Sequence, residues 1–185
     1  MTRVAMEWYG DQFLARVTAA AEGALDTTAS ALEGEVIRTL AKTTATAESR
    51  RGKRLRFRAS MPGTPPGSRT GHLRNSITWN RSGDLKRRVG TNLEYARIHE
   101  LGGTIQHPGG THYIMTSGGA AFLSDEKALR LKQQGYWVGS TRPHAITMPK
   151  RPYLVPTLAR MSGSGKLQRA FNAAMKRNLR ARGAA

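Results

Sequence analysis

The 185-residue chain contains no cysteine, which removes disulfide frameworks, thiolate metal sites and cysteine nucleophiles together. It has no run near the ~20 apolar residues that a helix needs to cross a bilayer. The opening Met1-Thr2-Arg3-Val4-Ala5-Met6-Glu7 lacks the apolar stretch of a secretory signal. A soluble chain made in the cytoplasm, with no membrane partner, is therefore expected. Acid is scarce as well: after residue 48 only Asp84, Glu94, Glu100, Asp125 and Glu126 remain, too scattered to nominate a carboxylate pair. The chain also lacks a Gly-x-Ser-x-Gly elbow and a Gly-x-Gly-x-x-Gly turn. No enzyme and no cofactor is expected.

What is present in excess is positive charge. Thirty Lys and Arg against twelve Asp and Glu leave +18, and the distribution is uneven. Residues 1–48 carry four basic and seven acidic side chains, net −3, so the remainder carries +21. From Ser49 to Asn75 there are eight basic residues and no acid; from Lys150 to the end there are nine, again with none. The first cluster, Arg50, Arg51, Lys53, Arg54, Arg56 and Arg58, is a candidate basic patch for a polyanion. Its plain alternative is a solvated surface that keeps the protein soluble.

Hydrophobic spacing predicts a long amphipathic helix over about Glu7–Ala47, with Phe13/Leu14, Val17, Ala21, Ala24/Leu25, Leu32, Val36 and Leu40 as its stripe. Forty residues would reach ~60 Å, so such a helix must overhang the domain or pack on a neighbour. Gly23, Gly34 and Asp26-Thr27-Thr28 are places where it could bend. Alternation over Arg54–Ala59 predicts a strand with Leu55, Phe57 and Ala59 inward. Thr70 can cap a short helix bearing Leu73 and Ile77. A hairpin turning at Arg81–Asp84 follows. The pattern then predicts a helix over Glu94–Leu101 ended by Gly102-Gly103, and strands at Thr104-Ile105 and Tyr113–Met115 around the loop Gln106–His112. A helix over Asp125–Gln134, strands at Tyr136–Val138 and Ala145–Met148, and a helix over Ser164–Arg182 complete the chain.

This order predicts an α+β fold: a long N-terminal helix, a mainly antiparallel sheet and a C-terminal helix. It reads as one domain with three parts: the helix over 1–48, a core over 49–160 with a Gly-rich insertion at about 106–145, and a basic helix over 161–185.

Five histidines (His72, His99, His107, His112 and His144) raise the question of a metal. His99-Glu100 begins like a zinc-protease helix, but Gly103 stands where the second histidine is required. His107 and His112 lie in a glycine loop that fixes no ligand geometry. Ordinary hydrogen-bonded histidines are the expectation. Ser162-Gly163-Ser164-Gly165-Lys166 resembles the end of a phosphate loop, yet Arg160 replaces its first glycine and Leu167 its Ser/Thr, so it reads as a joint before the last helix. Phe57, Trp79 or Trp137 could stack on bases, but no specific nucleic-acid reader motif appears.

Three stretches combine turn chemistry with apolar anchors: Arg69–Ile77, Tyr95–Thr104 and Met148–Leu154. Thr70-Gly71-His72-Leu73-Arg74-Asn75-Ser76-Ile77 resembles the Thr-Gly-x-Leu-x-x-Ser-Ile of phage tail-completion (minor tail) proteins. Val89-Gly90-Thr91-Asn92 followed by Tyr95-Ala96 resembles their Val-Gly-Thr and Tyr-Ala. Ile98-His99-Glu100-Leu101-Gly102-Gly103 is similar to the form in Mu-type virion morphogenesis proteins. Met148–Leu154 resembles their Pro-Ala-Arg-Pro-Phe-Leu, departing at Lys150 and conservatively at Tyr153. The resemblance spans roughly residues 69–160. It implies an α+β virion protein of a long-tailed bacteriophage, located at the neck or head-proximal tail end. It further implies a homo-oligomeric ring, with six subunits the expected number, contacting other neck or tail proteins and genomic DNA in its channel. Under it, His99, Glu100, Lys150, Arg151, Pro152, Tyr153 and Leu154 are candidates for subunit or partner contact; packing within their own chain is the alternative. A tail terminator capping the tail tube remains open, as does a nonspecific DNA-binding protein from outside this class.

Overall fold

Small residues set the architecture of the long first helix. The computed structural model describes residues 9–43, 47–48, 56–57 and 59–183, with backbone alone at 47–48, 56–57 and 182–183. Helix α1, Gly10–Lys42, runs unbroken for 33 residues, ~50 Å. The suspected weak points do not break it. Thr27 and Thr28 turn their hydroxyls back onto the carbonyls of Gly23 and Ala24, at 3.0 and 2.8 Å, which satisfies them inside the helix.

The chain divides into two compact units, residues 1–101 with 150–185, and residues 102–149. In the first unit, two residue pairs form β1 (Ala47–Glu48) and β2 (Arg56–Phe57), which pair antiparallel. The one-turn helix α2 (His72–Asn75) leads into the hairpin β3 (Thr78–Gly83) and β4 (Lys86–Gly90). Helix α3, Glu94–Leu101, has the expected bounds, and Gly102 follows it in the left-handed region at φ 69°. Helices α5 (Leu154–Gly163) and α6 (Lys166–Gly183) complete the unit.

Around α1 the side chains sort by size. Toward its N-terminal half, buried Ala20 and Ala24 and the bare backbone of Gly23 admit α6, which brings its own buried Ala174. The Asn178 amide donates to the Ala20 carbonyl at 3.1 Å. Toward its C-terminal half, Val36 and Leu40 join Ile77 and Tyr153 in the core, ringed by Leu32, Ile37, Leu73, Val89 and Leu154. Each of the motif stretches 70–77, 89–92 and 148–154 therefore contributes an anchor to this core.

Ion pairs tie the surrounding elements to α1. Asp26 receives Arg81 of β3 at 2.6 Å and also Arg87 of β4, while Arg87 donates to the Glu22 carbonyl at 3.1 Å. Glu35 pairs with Arg38 and with Arg160 of α5, both at 2.8 Å. Trp79 donates its indole N–H to Ser30 at 3.0 Å.

The first turns of α1 behave differently. Tyr9, Phe13 and Leu14 are 58%, 65% and 62% exposed, although Phe13 and Leu14 open the apolar stripe. Leu167 of α6 lies near Thr28 and Leu32, and Asn178 near Ala20; α6 thus runs antiparallel to α1 and ends five residues beyond Asn178. No described residue covers the start of α1.

In the second unit, β5 (Gly103–His107) pairs antiparallel with β9 (His144–Met148). A separate sheet has the order β7 (Gly119–Phe122), β6 (His112–Thr116), β8 (Gly139–Ser140). The two strands expected to bracket 106–112 thus belong to different pairs. Helix α4, Asp125–Gln133, is capped by Ser124, whose hydroxyl accepts from Lys127 N–H at 3.4 Å.

Candidate functional site

The motif residues His99–Glu100 and Lys150–Leu154 meet at the start of α5. That helix lacks a capping side chain of its own: Tyr153 occupies the N-cap position. A helix start leaves backbone N–H groups without partners, and Glu100, next to last in α3, supplies the acceptor. Its carboxylate takes the N–H groups of Tyr153 and Leu154 on Oε2, at 2.9 and 3.1 Å, and that of Val155 on Oε1, at 2.8 Å. The next residue, Pro156, has no N–H to satisfy. One side chain therefore closes the whole end of the helix, and its charge complements the positive pole of the helix dipole.

The neighbouring residues fix the approach. Arg151 N–H donates to the His99 carbonyl at 2.7 Å. The Arg151 Nε donates to the Ser60 carbonyl at 3.0 Å, so this guanidinium finds a backbone oxygen within its own chain. The Lys150 carbonyl accepts from Gly63 N–H at 2.8 Å, while the Lys150 side chain is exposed. Pro152 and Leu154 are half-buried, and Tyr153 is only 3% exposed. Burial, with the nearby charge of Glu100 and the Tyr95 phenol, pushes the Tyr153 hydroxyl up to about 12. Thr157, buried one turn on, donates to the Tyr153 carbonyl at 2.7 Å, and its hydroxyl oxygen lies 3.3 Å from that of Thr39 in α1.

His99 packs edge-on against Tyr95, ring centroids 5.9 Å apart, and its Nδ1 is buried with no hydrogen-bond partner among the described residues. Burial first, then the charge of Arg151, holds its pKa below the ordinary histidine value. A cavity of about 150 Å³ lined by Leu40, Gly71, Leu73, Tyr95 and His99 lies alongside, smaller than the few hundred Å³ typical of small-molecule sites.

The other candidates fall as follows. His107 and His144 face each other across β5 and β9 with stacked rings 4.9 Å apart. Gly109 N–H donates to His107 Nδ1 at 3.0 Å, and Thr111 lies 3.4 Å from its Nε2, so both nitrogens are engaged. Among the described residues no three His, Asp or Glu side chains gather as a metal site. An open concavity of about 610 Å³ runs beside Tyr113, Phe122, Arg142 and His144, with no carboxylate in its lining. Ser162–Lys166 forms the tight α5–α6 joint, where Ser164 donates to the Met161 carbonyl at 3.2 Å. Arg50, Arg51, Lys53, Arg54 and Arg58 lie outside the described residues, and of Arg56 only the β2 backbone is described. Of the aromatics considered for base stacking, Trp79 is tied to α1 and Trp137 is exposed against Tyr113.

Sequence reasoning selected Glu100 without its role as a cap. The signal was there: Pro152-Tyr153 offers no capping oxygen, and Pro156 marks a first helical turn.

The family model described as "Bacteriophage HK97-gp10, putative tail-component" matches residues 6–102, more than half of the chain. No curated protein and no solved structure matches. The matched segment holds α1, the Thr70–Ile77 and Val89–Asn92 stretches and His99–Glu100. The Met148–Leu154 motif lies beyond it, yet Tyr153 shares a core with the matched Val36, Leu40 and Ile77. Among the described residues no helix is long and apolar enough to cross a membrane. The chain belongs to the HK97-gp10-like family of bacteriophage tail components.

Proposed function

We propose that this tail component is a non-enzymatic, ring-forming subunit of the neck, which completes the head-proximal end of the tail and joins it to the head. The observation that carries the reading is the start of α1, which no described residue covers at Phe13 and Leu14, each more than half exposed. Large apolar side chains projecting together into water have a cost that a neighbouring subunit removes. The unit 102–149 supports the same reading. Only Ala128 and Gly139 are fully buried in it, and it exposes Met115, Phe122, Leu129, Tyr136 and Trp137.

In this reading His99, Glu100 and Lys150–Leu154 act on assembly by holding α5 in place. Its outer face, with exposed Val155 and Leu158, would then meet a second copy or another neck protein. The ring, hexameric in this proposal, forms in the host cytoplasm and resides in the virion.

Electron microscopy of particles made without this protein tests the proposal. DNA-filled heads beside separate tails of normal length are expected. Overlong tails would instead assign a tail terminator, and normal infectious particles would remove an assembly role altogether.

A further inference from the structure

Five of the six basic residues of α6 lie on one side of the helix. At roughly 3.6 residues per turn, Lys166, Arg169, Lys176, Arg177 and Arg180 fall within about 100° of arc. Leu167, Ala170, Phe171, Ala174, Met175 and Asn178, the buried and half-buried residues, occupy a separate sector. The five cations form a row ~21 Å long on the outer face, and all five are exposed. None makes an ion pair with any described residue, and no acidic residue occurs in sequence after Glu126.

We propose that this row binds the phosphate backbone of double-stranded DNA without reading its sequence. Three observations favour DNA over an acidic protein surface or a single strand. The arc carries no large apolar residue, only Ala173 between the cations, so it lacks the anchor around which protein interfaces form. It carries no aromatic side chain on which unpaired bases would stack. The two amides on the helix exterior, Gln168 and Asn172, lie off the arc and are bonded to each other at 2.9 Å, so no amide able to read adenine stands among the cations. A row of Arg and Lys interrupted only by Ala173 offers the charge and the donors that a run of phosphates requires. The assignment rests on α6 alone and stands whether or not the ring reading holds.

The test is the salt dependence of binding to a fluorescent 30-base-pair duplex, followed by anisotropy on the full chain. The variant Arg169→Gln, Lys176→Gln, Arg180→Gln is compared with Lys127→Gln, Arg130→Gln, Lys132→Gln, which removes equal charge from α4. The plot of log affinity against log salt should flatten by roughly 3 in the α6 variant, since each phosphate contact contributes about 0.9 to the slope. Affinity at 50 mM salt should fall at least tenfold, and the α4 variant should keep the wild-type slope. Equal flattening in both variants would reduce the effect to net charge and overturn the site, as would an unchanged slope in the α6 variant. Polyglutamate that displaces the duplex at equal charge concentration would also overturn it, in favour of an acidic protein partner. Matching thermal melts are expected, because the substituted side chains are exposed and unpaired. Should the triple variant melt early, the single variants Arg169→Gln and Arg180→Gln must each lower the slope by about 1, and no change in either would overturn the proposal.

Discussion

Glu100 holds three backbone N–H groups with one carboxylate, so its removal strands donors that have no other protein partner. Glu100→Ala should cost about 2 kcal/mol in urea unfolding. Glu100→Gln keeps an acceptor oxygen but loses the charge at the helix pole, and should cost about 0.5–1 kcal/mol. An alanine variant as stable as wild type would show that water caps α5 equally well. His99 predicts a pH effect at the same junction. Its folded pKa is depressed by burial and by Arg151, so the unfolded chain takes up the proton more readily. Its contribution to stability is complete above the ordinary value of 6.5 and is lost as pH falls through that value toward the folded pKa. The urea midpoint should therefore drop between pH 7.5 and pH 5.5, and drop less in His99→Gln; an equal drop in both would place the titration elsewhere. The residue identities at this junction were legible in the motifs. Their bonding was not, because a cap delivered from 53 residues away leaves no local pattern.

At the scale of elements, helices α1, α3 and α4 and the β3–β4 hairpin were legible because each buries a periodic face or carries its own turn chemistry. Strand β1 (Ala47–Glu48) was not, since the first helix was expected to run to about Ala47, and three further elements were not. Helix α5 hides behind Pro152 and Pro156, which read as a connection until Glu100 is seen to serve as its cap. Strand β7, Gly119-Ala120-Ala121-Phe122, has no alternation to detect. The strand expected at Tyr136–Val138 sits instead at Gly139–Ser140, because Gly139 opposes Tyr113. A Cβ at 139 would lie 2.7 Å from that ring, so only glycine brings the backbone so near. The α1–α6 contact makes a comparable demand at Gly23, where a Cβ would stand 2.7 Å from the Asn178 amide. Gly23→Ala gains about 1 kcal/mol of helix propensity and loses a bond of similar size, so its melting temperature should barely move. Gly23→Leu must displace α6 and should cost about 2–3 kcal/mol. A leucine variant of wild-type stability would mean that the two helices slide apart freely.

For the molecule as a whole, the α+β class followed from element order, whereas the split into units of 1–101 with 150–185, and 102–149, depends on pairings such as β5 with β9 that composition does not encode. Length alone required α1 either to overhang the domain or to pack on a neighbour, and among the described residues nothing covers Phe13 and Leu14. Phe13→Glu with Leu14→Glu should leave the thermal melt of the isolated chain unchanged and abolish incorporation into particles. Incorporation at wild-type levels would show that this end of α1 faces solvent in the virion. The Asn178–Ala20 bond spans 158 positions, and that span orders events during synthesis. Contacts so distant in sequence form late: the alanine face of α1 leaves the ribosome before α6 and waits for it. A chain interrupted before residue 166 keeps that face bare and is a target for proteolysis or aggregation. The topology thereby makes α6 a checkpoint on chain length: only a chain translated through α6 can cover the alanine face of α1 with it.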